Sequence, residues 1–331
     1  MADVAVLGAS GYAGAIAATL LHRHPYFTLR HVTARSESGA VLESIHPRTR
    51  VPLVLEDYDP KVQGKVDAAL VCWPHGVSAP AVAALRAQGV RVVDLSADFR
   101  LRDRAVYEHW YGRHGAPELF GTAAYGLPEL SREAIAGSEL VANPGCYPTA
   151  ALLGLAPLAR AGVIADVVID AKSGVSGAGR ELSRTTHYIA ADENVTPYKV
   201  EGHRHTPEIE QELAVMGAAL PITFTPHLVP LAQGELVSSY VTPTRDVTDA
   251  ELADLFREAY QDERWVELSL GPPGVLEVRD TNYCRISTHV DGRTGRVIVF
   301  SAIDNLWKGA ASQAIQNLNL MFERDESEGL A

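Results

Sequence analysis

Cysteine is scarce in this chain, with Cys72, Cys146 and Cys284 the only three in 331 residues. The number is odd, and the spacing suits neither a metal-ligand set nor a disulfide framework, so all three are read as thiols in a reducing compartment. Positive charge is also in short supply. Lys and Arg number 29 against 41 Asp and Glu, giving a formal net charge of −12 and a pI near 5.5. That balance lacks the basic stripe that nucleic-acid binding needs and offers no attraction to an anionic membrane surface. No apolar run is long enough to span a bilayer, and Met1-Ala2-Asp3 enters an apolar strand without a basic leader. Neither nucleic acid nor membrane is therefore expected as a partner, and a cytoplasmic location is expected. Internal repeats and low-complexity linkers are absent too.

What remains is ordinary globular material, 47% hydrophobic and 21% charged, enough to bury a full core and to divide into two domains. Residues 4–7 form a short apolar run that enters a glycine turn, and residues 15–21 continue with helical composition. Further short apolar runs at 29–33, 68–72, 90–95 and 140–142, with a helical stretch at 79–88, predict a doubly wound parallel sheet in the first half. After Pro148 the texture changes. A helix over about 149–161 leads into strand-like stretches at 167–171, 222–227, 236–242 and 297–302, interrupted by a helix at 249–259. These long strands predict a mixed, largely antiparallel sheet in an α+β second domain, so the whole is an α/β protein. The final helix, 310–322, carries Ala314, Ile315, Leu318 and Met321 at helical spacing and is expected to return to the first domain. The expected division is 1–147, completed by 305–331, and 148–304. The acidic stretch 323–331 is expected to fray.

Gly8-Ala9-Ser10-Gly11-Tyr12-Ala13-Gly14 places glycines at every third position between a strand and a helix. A backbone that must turn tightly and approach a pyrophosphate closely needs that spacing, although a turn serving packing alone uses it too. NAD-binding versions of this unit carry an acidic residue about 20 positions on to hold the ribose hydroxyls, and none stands there. The second strand instead ends Thr33-Ala34-Arg35-Ser36, offering a guanidinium and a hydroxyl to a 2′-phosphate. NADP(H) is thus the expected cofactor, with Arg35 as a plain surface charge the alternative. A later loop, Cys72-Trp73-Pro74-His75-Gly76, falls at the carboxyl edge of the sheet, where a dinucleotide lies in such folds.

Asn143-Pro144-Gly145-Cys146-Tyr147-Pro148-Thr149 follows a strand and precedes a helix, which puts Cys146 near a helix N-terminus where a thiolate is stabilised. The flanking prolines and glycine make a rigid turn, whereas Cys72 and Cys284 read as small buried hydrophobes. A thiolate nucleophile needs a proton donor for its intermediate. Gly202-His203-Arg204-His205-Thr206-Pro207-Glu208 supplies two histidines, one of them expected to be catalytic. Histidines at i and i+2 also suit a metal, but no third ligand stands at a convincing spacing, so no metal is expected. Ser173-Gly174-Val175-Ser176-Gly177-Ala178-Gly179-Arg180 is a small-residue loop whose backbone N–H groups suit an anion or a nicotinamide. Asp94-Leu95-Ser96-Ala97-Asp98-Phe99-Arg100 supplies a further arginine at the sheet edge.

Taken in order, these segments, with Tyr125-Gly126-Leu127-Pro128-Glu129, residues 226–230 and Asn305-Leu306-Trp307-Lys308-Gly309-Ala310, resemble the N-acetyl-γ-glutamyl-phosphate reductases, relatives of aspartate-semialdehyde dehydrogenase. The resemblance runs nearly end to end. It implies a Rossmann domain, a dimerising catalytic domain after Cys146, and a homodimer or homotetramer. It further implies Cys146 as nucleophile, His205 as acid/base, Ser176, Gly177 and Asn305 as cofactor contacts, and Arg100 and Arg180 as contacts to the substrate phosphate, with Asn143 and His203 beside the substrate. The implied reaction is NADPH-dependent reduction of a small acyl phosphate through a thioester on Cys146. The chain departs from the family at Ala232-Gln233-Gly234, where an arginine usually precedes the glycine, and at Ala15-Ile16-Ala17-Ala18, where a glutamate is usual. A reductase acting on carrier-linked aminoadipyl or glutamyl phosphate is the alternative enzyme, disfavoured by the residues around Cys146. A non-catalytic NADP-sensing module is the alternative of another class.

Overall fold

The computed structural model describes residues 1–330, which divide into two compact units. The first comprises Met1–Gly145 and the segment from Ala310, and the second comprises Cys146–Gly309. The strands of the first unit are β1 (Ala2–Leu7), β2 (Phe27–Thr33), β3 (Ala68–Val71), β4 (Arg91–Asp94), β5 (Ala124–Tyr125) and β6 (Leu140–Ala142). All pair in parallel, in the order β2-β1-β3-β4-β6-β5. Helices α1 (Tyr12–His22), α2 (Leu42–Ile45), α3 (Pro60–Gln63), α4 (Ala79–Arg86), α5 (Arg104–Tyr111) and α6 (Pro128–Ala136) connect them. The strand interiors are almost wholly apolar because helices cover both faces of a parallel sheet, and Val4, Val6, Leu70 and Val93 are all fully buried. This is the doubly wound arrangement expected from the sequence.

In the second unit a seven-stranded mixed sheet runs β11-β12-β13-β10-β7-β9-β8. Its strands are β7 (Ile164–Gly174), β8 (Thr196–Pro197), β9 (Thr223–Val229), β10 (Glu235–Pro243), β11 (Val266–Leu268), β12 (Cys284–Asp291) and β13 (Arg296–Ile303). β10 is antiparallel to both neighbours, β7–β9 and β11–β12 are parallel, and the sheet is largely antiparallel as anticipated. Its helices are α7 (Cys146–Arg160), α8 (Tyr188–Ala191), α9 (Thr206–Val215) and α10 (Asp249–Tyr260). The closing helix, α11 (Ala311–Met321), belongs to the first unit and packs against α1 and α6.

Helix α7 is buried along nearly its whole length and lies on β10 and β13. A Cβ on Gly154 would meet the Ser301 hydroxyl at 2.4 Å and a Val299 methyl at 3.2 Å, so the absent side chain is what lets helix and sheet approach. Register places Ser301 opposite Val237 and Val299 opposite Ser239, so the odd-numbered residues of β10, Glu235 among them, point to the α7 face.

The stretch after α11 corrects the expectation of fraying. Residues 323–330 are pinned to the first unit: Arg132 pairs with Glu326, Asn319 donates to the carbonyls of Glu326 and Glu328, and Leu330 is buried. His24 is the receiving post. Its Nδ1 accepts from the N–H groups of Tyr26 and Phe27, which fixes the tautomer so that Nε2 donates to the Glu328 carbonyl. An acidic composition does not imply disorder when the segment is held by groups distant in the chain, as Glu326 is by Arg132 and the Glu328 carbonyl by His24.

Candidate active site

The glycine loop of the first unit is built as its spacing implies. Gly8 follows β1 at φ +84, a left-handed conformation, and a Cβ there would meet the Cys72 carbonyl oxygen at 2.8 Å. A Cβ on Gly14 would lie 2.2 Å from the Gly8 carbonyl oxygen, so α1 can start this close to β1 only with glycine there. Gly11 caps α1 without a side-chain hydrogen bond, and no acidic residue stands in the first turn. The first N–H groups of α1, from Tyr12, Ala13 and Gly14, have no intrahelical partners and suit an anion at the positive end of the helix. The loop therefore fits a pyrophosphate. His46, which the sequence reading passed over, fixes the loop from behind through Nε2 at 2.8 Å from the Ser10 carbonyl. Arg35 and Ser36 lie exposed just after β2, and Pro74 is exposed just after β3. The Ser36 hydroxyl donates to Glu37 at 3.0 Å, so a carboxylate that the sequence reading also missed shares that edge.

Arg100 and Asn143 sit deeper than surface ligands usually do. Arg100 is 8% exposed, with Nε donating to the Asn143 carbonyl and Nη2 to the Leu95 carbonyl, both at 2.8 Å. Asn143 is 1% exposed; its amide donates to the Ala310 carbonyl and its Oδ1 accepts from Asn317. The surrounding Asp94–Arg100 stretch is a frame for the loops. Asp98 accepts from the N–H groups of Gly76 and Ala79 and from the Tyr107 hydroxyl, while Asp94 accepts at 2.5 Å from the hydroxyls of both Ser78 and Ser96. Burial pushes the Cys72 thiol up to about 12, so it is inert.

The second unit gathers the reactive groups. Cys146 is the first residue of α7 and is half-buried. A Cβ on Gly309 would stand 2.8 Å from the Cys146 Cβ and 2.6 Å from the Asn305 carbonyl oxygen, so Gly309 lets Asn305 and Cys146 come together. Asn305 in turn donates to the Ser176 hydroxyl at 3.1 Å and accepts from the Gly234 N–H at 2.7 Å. Gly177 lies beside it, and a Cβ there would fall 3.6 Å from the Asn305 amide nitrogen. Cys146, Ser176, Gly177 and Asn305 thus form one cluster. Arg180 does not join it; it is exposed beyond Gly179, which adopts φ +85.

His205 caps α9, and its ring lies 5.9 Å from that of Tyr147 and 4.8 Å from that of His203. His203 is nearly enclosed by Tyr147, Tyr198, Phe224 and His205. Burial, aided by Lys199 and Arg204, holds it down to about 4, and its Nδ1 accepts the His205 N–H. It is a neutral ring that fixes the backbone of its neighbour. Tyr147 and Tyr198, linked hydroxyl to hydroxyl at 3.2 Å, join the cysteine to the histidines, and burial raises both phenols so that they stay protonated. The sequence signal for Tyr147 was its place beside Cys146 at the helix start. Gln233 occupies the position of the usual arginine and is spoken for, donating to Asp280 and Asp304. Among the described residues no group of histidine, cysteine and carboxylate side chains has the arrangement of a metal site.

Over residues 3–138 the chain matches the semialdehyde dehydrogenase NAD-binding domain, and over 146–305 the semialdehyde dehydrogenase dimerisation domain. It is 47% identical to an N-acetyl-gamma-glutamyl-phosphate reductase of Desulforudis audaxviator, covering 100% of this chain and 98% of that protein. It is 46% identical to the enzyme of the same name from Geobacillus kaustophilus over 99% and 98% of the two chains. The chain belongs to the N-acetyl-γ-glutamyl-phosphate reductase family. Its fold is that of aspartate semialdehyde dehydrogenase II of Vibrio cholerae, at TM-score 0.76 and 18% identity over 98% of both chains. The aspartate semialdehyde dehydrogenase of Candida albicans, solved with NADP, matches at TM-score 0.72 and 15% identity over 97% and 98%. The names these reductases carry do not favour the carrier-linked alternative. Among the described residues no helix is long and apolar enough to cross a membrane.

Proposed function

We propose that the protein reduces N-acetyl-γ-glutamyl phosphate to the corresponding semialdehyde, releasing phosphate, with NADPH as reductant and Cys146 as nucleophile. One observation carries the assignment of roles: Cys146 heads α7 in contact range of Asn305 across Gly309, with Tyr147 bridging to His205. The sulfur attacks the acyl carbon as the helix N-terminus favours its anionic form, the acyl–oxygen bond breaks, and phosphate departs to leave a thioester. Bound NADPH supplies the hydride that reduces it. His205 gives a proton to the resulting oxyanion and takes it back as the carbonyl re-forms and the carbon–sulfur bond breaks, releasing aldehyde and thiolate.

The Gly8–Gly14 loop and the start of α1 are assigned to the pyrophosphate, Arg35 and Ser36 to the 2′-phosphate, and Pro74 to the same sheet edge. Ser176, Gly177 and Asn305 are assigned as further cofactor contacts. Arg100 and Arg180 are the candidates for the substrate phosphate, with Asn143 and His203 as supports of the substrate site. A homodimer or homotetramer fits the match to a dimerisation domain and the exposed Leu182, Tyr188, Ile189 and Val195; sedimentation at several concentrations tests it. A cytoplasmic location fits three free thiols.

The test is turnover by Cys146→Ala. A loss of about 10³-fold or more, with NADPH binding kept within about twofold, is expected, and full activity in that variant overturns the covalent route. The reverse assay, with N-acetylglutamate semialdehyde against its aminoadipate and aspartate counterparts, ranks the substrates.

A further inference from the structure

The N-terminus of α7 faces a carboxyl group that the mechanism above does not use. Glu235 opens β10 and is fully buried, and neither of its carboxyl oxygens has a hydrogen-bond partner. A buried carboxyl left without partners is costly, and proteins rarely keep one where a hydrocarbon would serve. The register fixes where it points. Glu235 lies opposite Ile303 on β13 and Ser173 on β7, on the face that α7 covers, and at the end of β10 nearest the helix start. The backbone around it has no slack. Gly234 adopts φ +113 against the Val275 side chain, and a Cβ on Gly174 would meet the Gln233 backbone at 2.9 Å.

The groups facing this carboxyl are few. From α7 come the Cys146 thiol and the Tyr147 phenol; Tyr198 approaches from the loop after β8, and Asp304 follows β13. Desolvation pushes Glu235 up to about 8, Asp304 adds to the rise, and the Cys146 thiol is the polar neighbour that draws it back. The phenols stay protonated, so sulfur and carboxyl are the pair whose ionisations are coupled.

We propose that Glu235 is a catalytic residue that, as a carboxylic acid, donates a hydrogen bond to the Cys146 sulfur and stabilises the thiolate both as attacking nucleophile and as leaving group. The carboxyl keeps its proton throughout, so no bond to it forms or breaks and the balance of the reaction is unchanged. An acid in this place holds the sulfur anion without adding a second negative charge; an ionised carboxylate would repel it. The two groups then titrate as a pair, with two apparent steps belonging to both.

The proposal rests on Cys146 being the nucleophile, and the experiment separates the two. The rate of Cys146 alkylation by iodoacetamide, read peptide by peptide in the mass spectrometer, is followed against pH in the intact protein. The wild type is expected to gain reactivity in two steps. Glu235→Gln, which keeps a donor but cannot ionise, is expected to show one step with reactivity near neutrality within about threefold of wild type. Glu235→Leu, with no donor, is expected to react about tenfold or more slowly near neutrality, its single step displaced to higher pH. A purely structural Glu235 would shift the melting temperature and leave these profiles alone. Superimposable profiles for wild type and Glu235→Gln overturn the proposal even if Glu235→Leu does not fold, and unchanged alkylation in Glu235→Leu overturns it directly. Should Cys146→Ala turn over normally, the nucleophile assignment falls and this proposal with it; a dead Cys146→Ala beside unmoved profiles defeats the Glu235 role alone.

Discussion

Asp94 and Glu235 are both buried to zero exposure, one in each unit, yet they are treated oppositely by their surroundings. Asp94 is clasped by two serine hydroxyls, and burial raises it only to about 6 because those hydrogen bonds favour its charged form. Glu235 has no such clasp and is pushed up to about 8. Burial alone therefore does not say whether a carboxyl is structural. The satisfied one ties together the stretches around Ser78 and Ser96, and the unsatisfied one faces the Cys146 thiol.

The largest effect that would test this contrast is the dependence of stability on pH. Both carboxyls have folded pKa values above their unfolded ones, so each contributes stability that is full below the unfolded value and is lost as pH rises through the folded value. For Glu235 the window runs from 4.5 to about 8 and for Asp94 from 3.8 to about 6. Denaturant titrations from about pH 5 to about pH 8 should show a loss of order 4 kcal/mol that Glu235→Gln removes and Asp94→Asn removes only in part. His203 works the other way. Its folded value is depressed, so its contribution is present above 6.5 and is lost as pH falls toward about 4, at a cost of up to about 3 kcal/mol. A flat profile in the wild type would break the comparison.

Next in size is replacement by hydrocarbon near neutral pH. Asp94→Ala strands the hydroxyls of Ser78 and Ser96 and should cost about 2–3 kcal/mol. Glu235→Leu removes an unpartnered carboxyl at similar volume and should gain about 1–2 kcal/mol, measured by the same titrations. Equal signs for the two would mean that the contact of Glu235 with Cys146 outweighs the cost of burying the carboxyl. The smallest effect belongs to Ser78→Ala, which leaves Asp94 one of its two serines and should lower stability by about 1 kcal/mol.

Most of the first unit was legible because its requirements are local. Gly8 and Gly14 must lack side chains, and a parallel sheet under two helix layers writes itself as short apolar runs. Cys146 stood out through its neighbours, Pro144, Gly145 and Pro148, which mark a turn. Glu235 left no such mark. A glutamate at a strand start reads as solvent-facing, and only the pairing with Ser173 and Ile303, each more than 60 residues away, turns it inward. Strand β12 was missed for a related reason: Arg285, Ser287 and His289 interleave with the few apolar positions and mask its period. The acidic end beyond α11 escaped because His24 and Arg132 are invisible from that stretch alone. Long-range partners decide such segments, and one sequence does not display them.

Gly309 carries a practical lesson for anyone altering this protein. Since a single methyl there would press on both the cysteine and Asn305, Gly309→Ala would leave every reactive atom in the chain and still move the sulfur from its station. Such a variant would separate what the chemistry needs in composition from what it needs in placement, a distinction that deleting the thiol itself can never draw.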